Sequence, residues 1–483
     1  MTGNVSPSLD RRLGPLDAAA IVVSNVIGGG IFFVPILVAQ ILPDARSILI
    51  VWAVGGGLAF AGAMAYAELA ALRPHAGGEY VYLREAYGPA AAFLSGWTSF
   101  VAGFSGGIAA SALALADYVG RFAPAAADVT PLLTLPVPGI PLNVSPKTLV
   151  ALVAITGLAL VHIRGLRLGR VVQNVLAGTK VAALVIFVAL GFAIGRGTPT
   201  PLVSSATTGI TPMLLALIPV MFTYSGWNAA AYVAEEVRSP ERNLPLALGL
   251  GTLAVVAIYL GLNALYLYAV PIAELAAVPG ARLIDTVAEH LFGVVAGGLL
   301  AAFSIVSLAA GVSAMLIAGP RVYFAMARDG VFAARAGDIH PRSRAPVGAV
   351  VAQAMWSGVL VLSGTLSELV SYTGFAVVLF SAIAVAAVFV LRYRQPNARR
   401  PFRAWGYPWA PAIFVAASAV MLVNEIWRSP GTSAAGLAIM TAGVPVYWWM
   451  RRRAVNNTDS VRSSRAPSLA VNPSRDRGER RAR

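Results

Sequence analysis

Apolar residues run along this chain in stretches of about twenty, separated by short polar connections. That is the length a helix needs to cross the hydrocarbon core of a bilayer. The pattern predicts twelve such helices, near 16–40, 47–72, 90–120, 147–163, 172–195, 211–236, 245–270, 290–320, 346–364, 367–391, 409–426 and 432–450. The third and eighth are long enough to tilt strongly or to project beyond the bilayer. The predicted fold class is therefore an all-α integral membrane protein.

Two of the apolar stretches are interrupted at matching places, in the first and the sixth span. IVVSNVIGGGIFFVPILVAQ is broken at Gly28, Gly29 and Gly30, and LLALIPVMFTYSGWNAAAYVAEE at Ser225, Gly226, Trp227 and Asn228. Each glycine weakens a helix by about 1 kcal/mol relative to alanine, and freed backbone groups are costlier still in hydrocarbon. Such breaks persist where they line a cavity, and paired broken helices in two inverted halves are how many secondary transporters bind substrate. A half-helix starting near Ile31 presents free N–H groups and a positive end suited to a carboxylate. Unwound carbonyls around Phe222 to Ser225 suit an ammonium group. Together the breaks would clamp a zwitterion, with Tyr224, Trp227 and Asn228 placed to shape or gate the pocket. Packing is the bland alternative, since glycine is common where membrane helices touch, but packing seldom needs three in a row.

Composition agrees with a membrane protein: 58% of the 483 residues are hydrophobic and 12% charged, about half the charged share of a soluble domain. Cysteine is absent, which excludes disulfides, thiolate metal sites, cysteine nucleophiles and a disulfide-linked subunit. The net charge of +15 reflects cytoplasmic loops rather than nucleic-acid binding, since no basic face with interleaved aromatics is present. Arginines from Arg11 to Arg403 crowd the connections on one side, while the other holds little beyond Arg121, Lys147, Arg196, Arg282 and Arg428. That bias, with an even helix count, places both termini of a multi-pass protein in the cytoplasm, in the cell's inner membrane. No cleavage site follows the N-terminal segment 1–15. The Pro-rich stretch between Arg121 and Pro146 predicts an extended outer loop. The basic segment 454–483 is expected to be a disordered tail, with anionic lipid as one partner for its arginines.

Lys180 is the other sharp signal. It lies about 15 Å along a helix from Arg170 and about 24 Å from Arg196, too deep for easy snorkelling. An ammonium there costs at least about 2.5 kcal/mol, so it is expected to face the interior and meet carbonyls or hydroxyls of a broken helix. It is a candidate fixed charge in place of a sodium ion, or a proton carrier. Glu68, Glu235 and Glu236 are expected to pair with loop arginines, and Asp17 to join a gate. His75, His162, His290 and His340 fall at loop or helix-end positions. No metal-ligand spacing, nucleophile triad or paired carboxylate emerges, so neither an enzyme nor a cofactor is expected.

Several stretches resemble one family. IGGGIF (27–32) looks like the first-helix glycine motif of the amino acid–polyamine–organocation superfamily, and RPHAGGEYVYLREAYGP (73–89) is similar to its first cytoplasmic loop. SGWNAAAYVAEEVRSPERNLPLAL (225–248) resembles the sixth-helix segment of its L-amino acid transporter branch. GPRVYFAMARDG (319–330), IHPRSRAPV (339–347) and RQPNARRPFRAWGYPWAP (394–411) match later segments in the expected order. The resemblance implies a 5+5 inverted repeat, helices 1–5 in 16–195 and 6–10 in 211–391, with two further helices in 409–450. It implies an amino acid held by Ile27, Gly28, Gly29, Gly30, Phe222, Tyr224, Ser225, Gly226, Trp227 and Asn228. It associates Lys180 with sodium-independent transport, as exchanger or proton-coupled symporter, and Tyr259 and Asn263 with links from helix seven to the core. Gly29 stands where many members have serine, and Ser225 where many have glycine, which leaves side-chain preference open. The small, apolar Gly29, Ser225 and Ala229 hint at neutral substrates. An amine or polyamine carrier would need acidic pocket residues, and none is placed convincingly near the breaks. A channel would need charged rings, and an amino acid sensor an output domain. Oligomeric state is not legible.

Overall fold

The computed structural model describes residues 9–136, 142–197, 209–278, 283–363, 366–428 and 430–464. Its helices are Pro15–Val26 (α1), Gly30–Ile41 (α2), Ala45–Leu72 (α3), Glu79–Tyr87 (α4), Pro89–Thr98 (α5), Phe104–Gly120 (α6), Pro146–Arg164 (α7), Leu166–Ile194 (α8) and Ile210–Tyr224 (α9). They continue as Ala229–Tyr232 (α10), Pro240–Ala269 (α11), Ile272–Ala277 (α12), Leu283–Phe292 (α13), Val294–Arg328 (α14), Val347–Leu362 (α15), Leu366–Arg394 (α16), Trp409–Arg428 (α17) and Pro430–Ser464 (α18).

Local chemistry sets several of these boundaries. Asp44 caps α3 by accepting from the Ser47 N–H, and Ser145 and Thr148 form a reciprocal capping box ahead of α7. Proline opens α1, α5, α7 and α11, where its missing N–H costs nothing. The expected outer loop holds a 3-10 turn at Pro124–Ala127 and an antiparallel hairpin of Leu133–Leu135 (β1) with Leu142–Val144 (β2), Leu133 opposite Val144. At the other end, α18 continues past residue 454 to Ser464; the remainder of the expected tail, like Arg282, lies outside the described residues.

Eight helices among the described residues are long and apolar enough to cross a membrane, or nine with the bent pair α1–α2 as one span. The twelve-span expectation exceeds this partly because α9 stops at the second break and α15 has only 16 residues. The long third and eighth spans are present as the α5–α6 run, 32 residues, and α14, 35 residues. With α3, these are the most buried of the long helices, and α17 is the least. One face, the basic face, carries residues 9–14, α4 and the connections rich in arginine. The hairpin β1–β2 marks the opposite one.

Candidate functional site

The chain turns out of α1 after Val26 and into α2 at Gly30, bending by 46°. Gly28 N–H bonds back to the Val26 carbonyl at 2.7 Å, and α2 starts without a side-chain cap. The first N–H groups of a helix have no partner within it, and Gly28, Gly29 and Gly30 all line a cavity of about 360 Å³. The second break begins after Tyr224. Ser225 N–H returns to the Phe222 carbonyl at 3.0 Å, and Gly226 adopts a φ of 100° before α10 starts at Ala229. Phe222, Ser225, Gly226 and Asn228 line the same cavity.

The two breaks are built against each other. A Cβ on Gly226 would stand 2.5 Å from the Asn25 amide nitrogen and 3.1 Å from its backbone, and Asn25 Nδ2 lies 3.5 Å from the Gly226 carbonyl. Tyr259, from α11, places its hydroxyl 2.9 Å from the Val26 carbonyl and 3.2 Å from that of Thr223, so one group bridges the last turns of α1 and α9. Asn263 acts one step back, donating to the Tyr259 carbonyl at 2.8 Å. Lys180 is fully buried, and its ammonium donates to the Ser24 carbonyl at 3.3 Å and to the carbonyl of Ile27. It therefore meets the unwound end of α1, the kind of partner its depth demands.

Three of the expected pocket residues turn inward to the core. Ile27 is fully buried and contributes only its carbonyl, to Lys180. Tyr224 packs edge-on against Trp52 and donates to the Trp52 carbonyl at 3.1 Å. Trp227 is wedged between the rings of Tyr66 and Phe414, in a space that Gly62 leaves open: a Cβ there would come within 2.8 Å of the indole. Its size favours packing over gating.

Sequence reasoning missed several cavity residues. Asn25 is a polar side chain within an apolar run, and that signal was available. The helix between α5 and α6 widens into a π-turn at Ser99–Gly103, a feature frequent at functional sites, and Thr98, Ser99 and Gly103 line the cavity there. The most consequential is Glu79, at the cavity's inner end with Ser95, Asn228 and Tyr232. It is an acidic residue on the cavity wall, where the sequence pattern near the breaks offers none. Asp117, half-exposed and paired with Lys147 at 2.7 Å, lines the cavity at its opposite end.

The basic face is closed by ion pairs, mostly where the arginine-rich loops suggest them. Arg321 clamps Glu236 through two bonds of 2.7 and 3.1 Å, with both side chains buried. Glu235 takes Arg328 together with the N–H groups of Leu9 and Ala76. Glu68 takes Arg392 and Arg400. The segment before α1 is tied across this face: Arg344 holds Asp10 at 2.6 Å, and Leu13 pairs with Val237. Asp17 accepts from the Gly14 N–H at 2.7 Å and lies 3.7 Å from Arg170. Of the four histidines, His162 lies in the last turn of α7 as expected, buried against the Ser313 hydroxyl at 2.9 Å.

Residues 13–450 match the model of a family described as amino acid permease. The chain is 30% identical to the human large neutral amino acids transporter small subunit 2, across 92% of its own length and 82% of the relative's. It is 27% identical to the serine/threonine exchanger SteT of Bacillus subtilis, across 92% and 98%. It is also 30% identical to the human b(0,+)-type amino acid transporter 1, across 82% and 79%.

Proposed function

The chain belongs to the amino acid permease family, and from that premise we propose that it carries amino acids across the inner membrane by alternating access, independently of sodium and with neutral L-amino acids preferred. The observation that carries the reading is the meeting of two interrupted helices at one cavity of about 360 Å³, large enough for an amino acid. The substrate carboxylate binds the free N–H groups at the start of α2, where the helix end contributes roughly 0.3–2 kcal/mol. Its ammonium binds carbonyls at the end of α9; each carbonyl has two lone pairs, so that of Phe222 keeps one after accepting from Ser225. The side chain then lies among Phe33, Phe104, Met315 and Phe380, which supports neutral, apolar substrates.

Lys180 supplies a fixed positive charge against the carbonyls of α1, the position a sodium ion would otherwise fill. In this reading the chain crosses the membrane twelve times as two inverted five-helix repeats plus two helices, with both termini cytoplasmic. The basic face is then the cytoplasmic one, and the structure is outward-facing. With no cysteine, the carrier works without a disulfide-linked subunit. Glu79 favours one second reading, in which a cationic side chain or an amine finds its partner there.

The test is uptake of labelled neutral amino acids into proteoliposomes, with and without internal unlabelled amino acid, sodium and a pH gradient. Saturable flux indifferent to sodium is expected. Stimulation by internal amino acid marks an exchanger, and accumulation in empty vesicles under an inward proton gradient marks a symporter. No amino acid flux under any condition overturns the proposal.

A further inference from the structure

Among the described residues, no cation pairs with the Glu79 carboxylate. It opens α4 yet is only 7% exposed, and its neighbours are hydroxyls. Tyr66 of α3 donates to it at 2.9 Å and Ser95 of α5 at 3.0 Å, and Tyr232 of α10 lines the same end of the cavity. Asn228, at the start of α10, donates to that same Tyr232 oxygen at 3.1 Å. The other titratable groups on the surrounding elements are committed elsewhere or neutral. On α4, Arg84 pairs with Asp329, and Glu85 with Arg73. On α14, Arg321 pairs with Glu236, Arg328 with Glu235, and Tyr323 donates to the Ser99 carbonyl. On α16, Arg392 pairs with Glu68. Tyr82, beside Glu79 on α4, adds a phenol.

An isolated buried carboxylate is costly as an anion, and its common resolution is to take up a proton. Lys180 is ill placed for that exchange, being sealed from the cavity, whereas Glu79 lines it. The hydroxyls around Glu79 come from two classes of element: α3 and α5, which bond it, and α10, which follows the second break and sets Tyr232 on the same stretch of cavity wall.

We propose that Glu79 binds the proton co-transported with the amino acid, and that its protonation loosens the hold on α10 that keeps the basic face closed. This deepens the transport reading and rests on it. As an anion the carboxylate offers only acceptors; it takes the Tyr66 and Ser95 donors and draws the Tyr232 hydroxyl toward it. As a neutral acid it must itself donate, so one of these hydroxyls loses its acceptor or turns. A proton enters from the cavity with the substrate, and the pull of the anion on the Tyr232 hydroxyl is lost. The same proton leaves to the other side once the basic face opens and the charged form regains water. Burial pushes the Glu79 carboxyl above its ordinary range, which brings its titration nearer to physiological pH.

The test uses purified protein in proteoliposomes, with counterflow exchange and gradient-driven accumulation measured on the same preparations. Wild type is expected to accumulate amino acid about tenfold per unit of inward pH gradient, for one proton per substrate. Glu79→Gln, which resembles the protonated acid, is expected to keep counterflow, lose accumulation to a ratio of one, and flatten the pH profile of exchange. Glu79→Asp is expected to keep accumulation with a displaced pH midpoint. Wild-type counterflow that is indifferent to pH, or full gradient-driven accumulation by Glu79→Gln, overturns the inference and leaves transport standing. Loss confined to lysine-like substrates, with proton coupling intact, also overturns it and assigns Glu79 to a cationic side chain. Absence of any wild-type counterflow overturns both readings.

Discussion

At the scale of single residues, the site depends on a few groups that serve both breaks at once. The Tyr259 hydroxyl is shared by the carbonyls of Val26 and Thr223. Tyr259→Phe keeps the ring, which packs on Trp52, and removes only that bridge. Two buried carbonyls then lose a donor, at about 1–3 kcal/mol. The variant is expected to fold and to bind amino acid roughly tenfold or more weakly, by titration of the purified protein; unchanged affinity would detach Tyr259 from the site. Gly226 is the harder case. Its φ of 100° and the 2.5 Å approach to Asn25 mean that alanine brings backbone strain of about 1–3 kcal/mol and forces the breaks apart. Gly226→Ala is expected to abolish uptake while the protein still reaches the membrane, and wild-type uptake by it would show that the breaks need not touch.

At the scale of elements, the pair of Arg321 on α14 and Glu236 just beyond α10 shows how the closed face is held. Removing one member of a buried ion pair strands a charge, at about 3–5 kcal/mol, whereas replacing both with apolar residues is often neutral or stabilising. Arg321→Met is therefore expected to lower thermal stability sharply, and Arg321→Met with Glu236→Met to restore most of it; equal losses would mean that the residues act separately. The same elements show what was legible in the chain. Both breaks were, because glycine runs contradict the apolar helices around them. Lys180 was, because a charge at that depth requires a partner. Glu79 was not, because a carboxylate in the polar loop AGGEYVYL is ordinary until α4 folds back beneath the cavity. Trp227 sits in a break yet belongs to the core, since its placement depends on the space beside Gly62 on another helix. The π-turn at Ser99–Gly103 interrupts α5–α6 without any residue that breaks a helix.

For the whole molecule, the two faces differ in how they are closed. The basic face is sealed by Arg321–Glu236, Arg328–Glu235 and Arg344–Asp10, while half-exposed Asp117 lines the cavity toward the hairpin face. Alternating access requires this arrangement to reverse, and the absence of cysteine allows that to be measured directly. A single cysteine at Thr98, buried near the cavity's inner end, meets a membrane-impermeant maleimide through the cavity. If the inward-facing state is a minor one, populated at a tenth or less, labelling should be about tenfold faster in whole cells than in inverted vesicles. A cysteine in place of exposed Arg342, on the basic face, should give the opposite ratio and so fixes the orientation. Adding Arg344→Ala to the Thr98 variant frees the segment before α1 and should raise labelling from the basic face, with that from the hairpin face lowered in proportion. Labelling of Thr98→Cys from the basic face alone would reverse the assignment of the closed side. Equal labelling from both sides, unaltered by saturating amino acid, would mean a continuous pore, and the breaks would then line a channel.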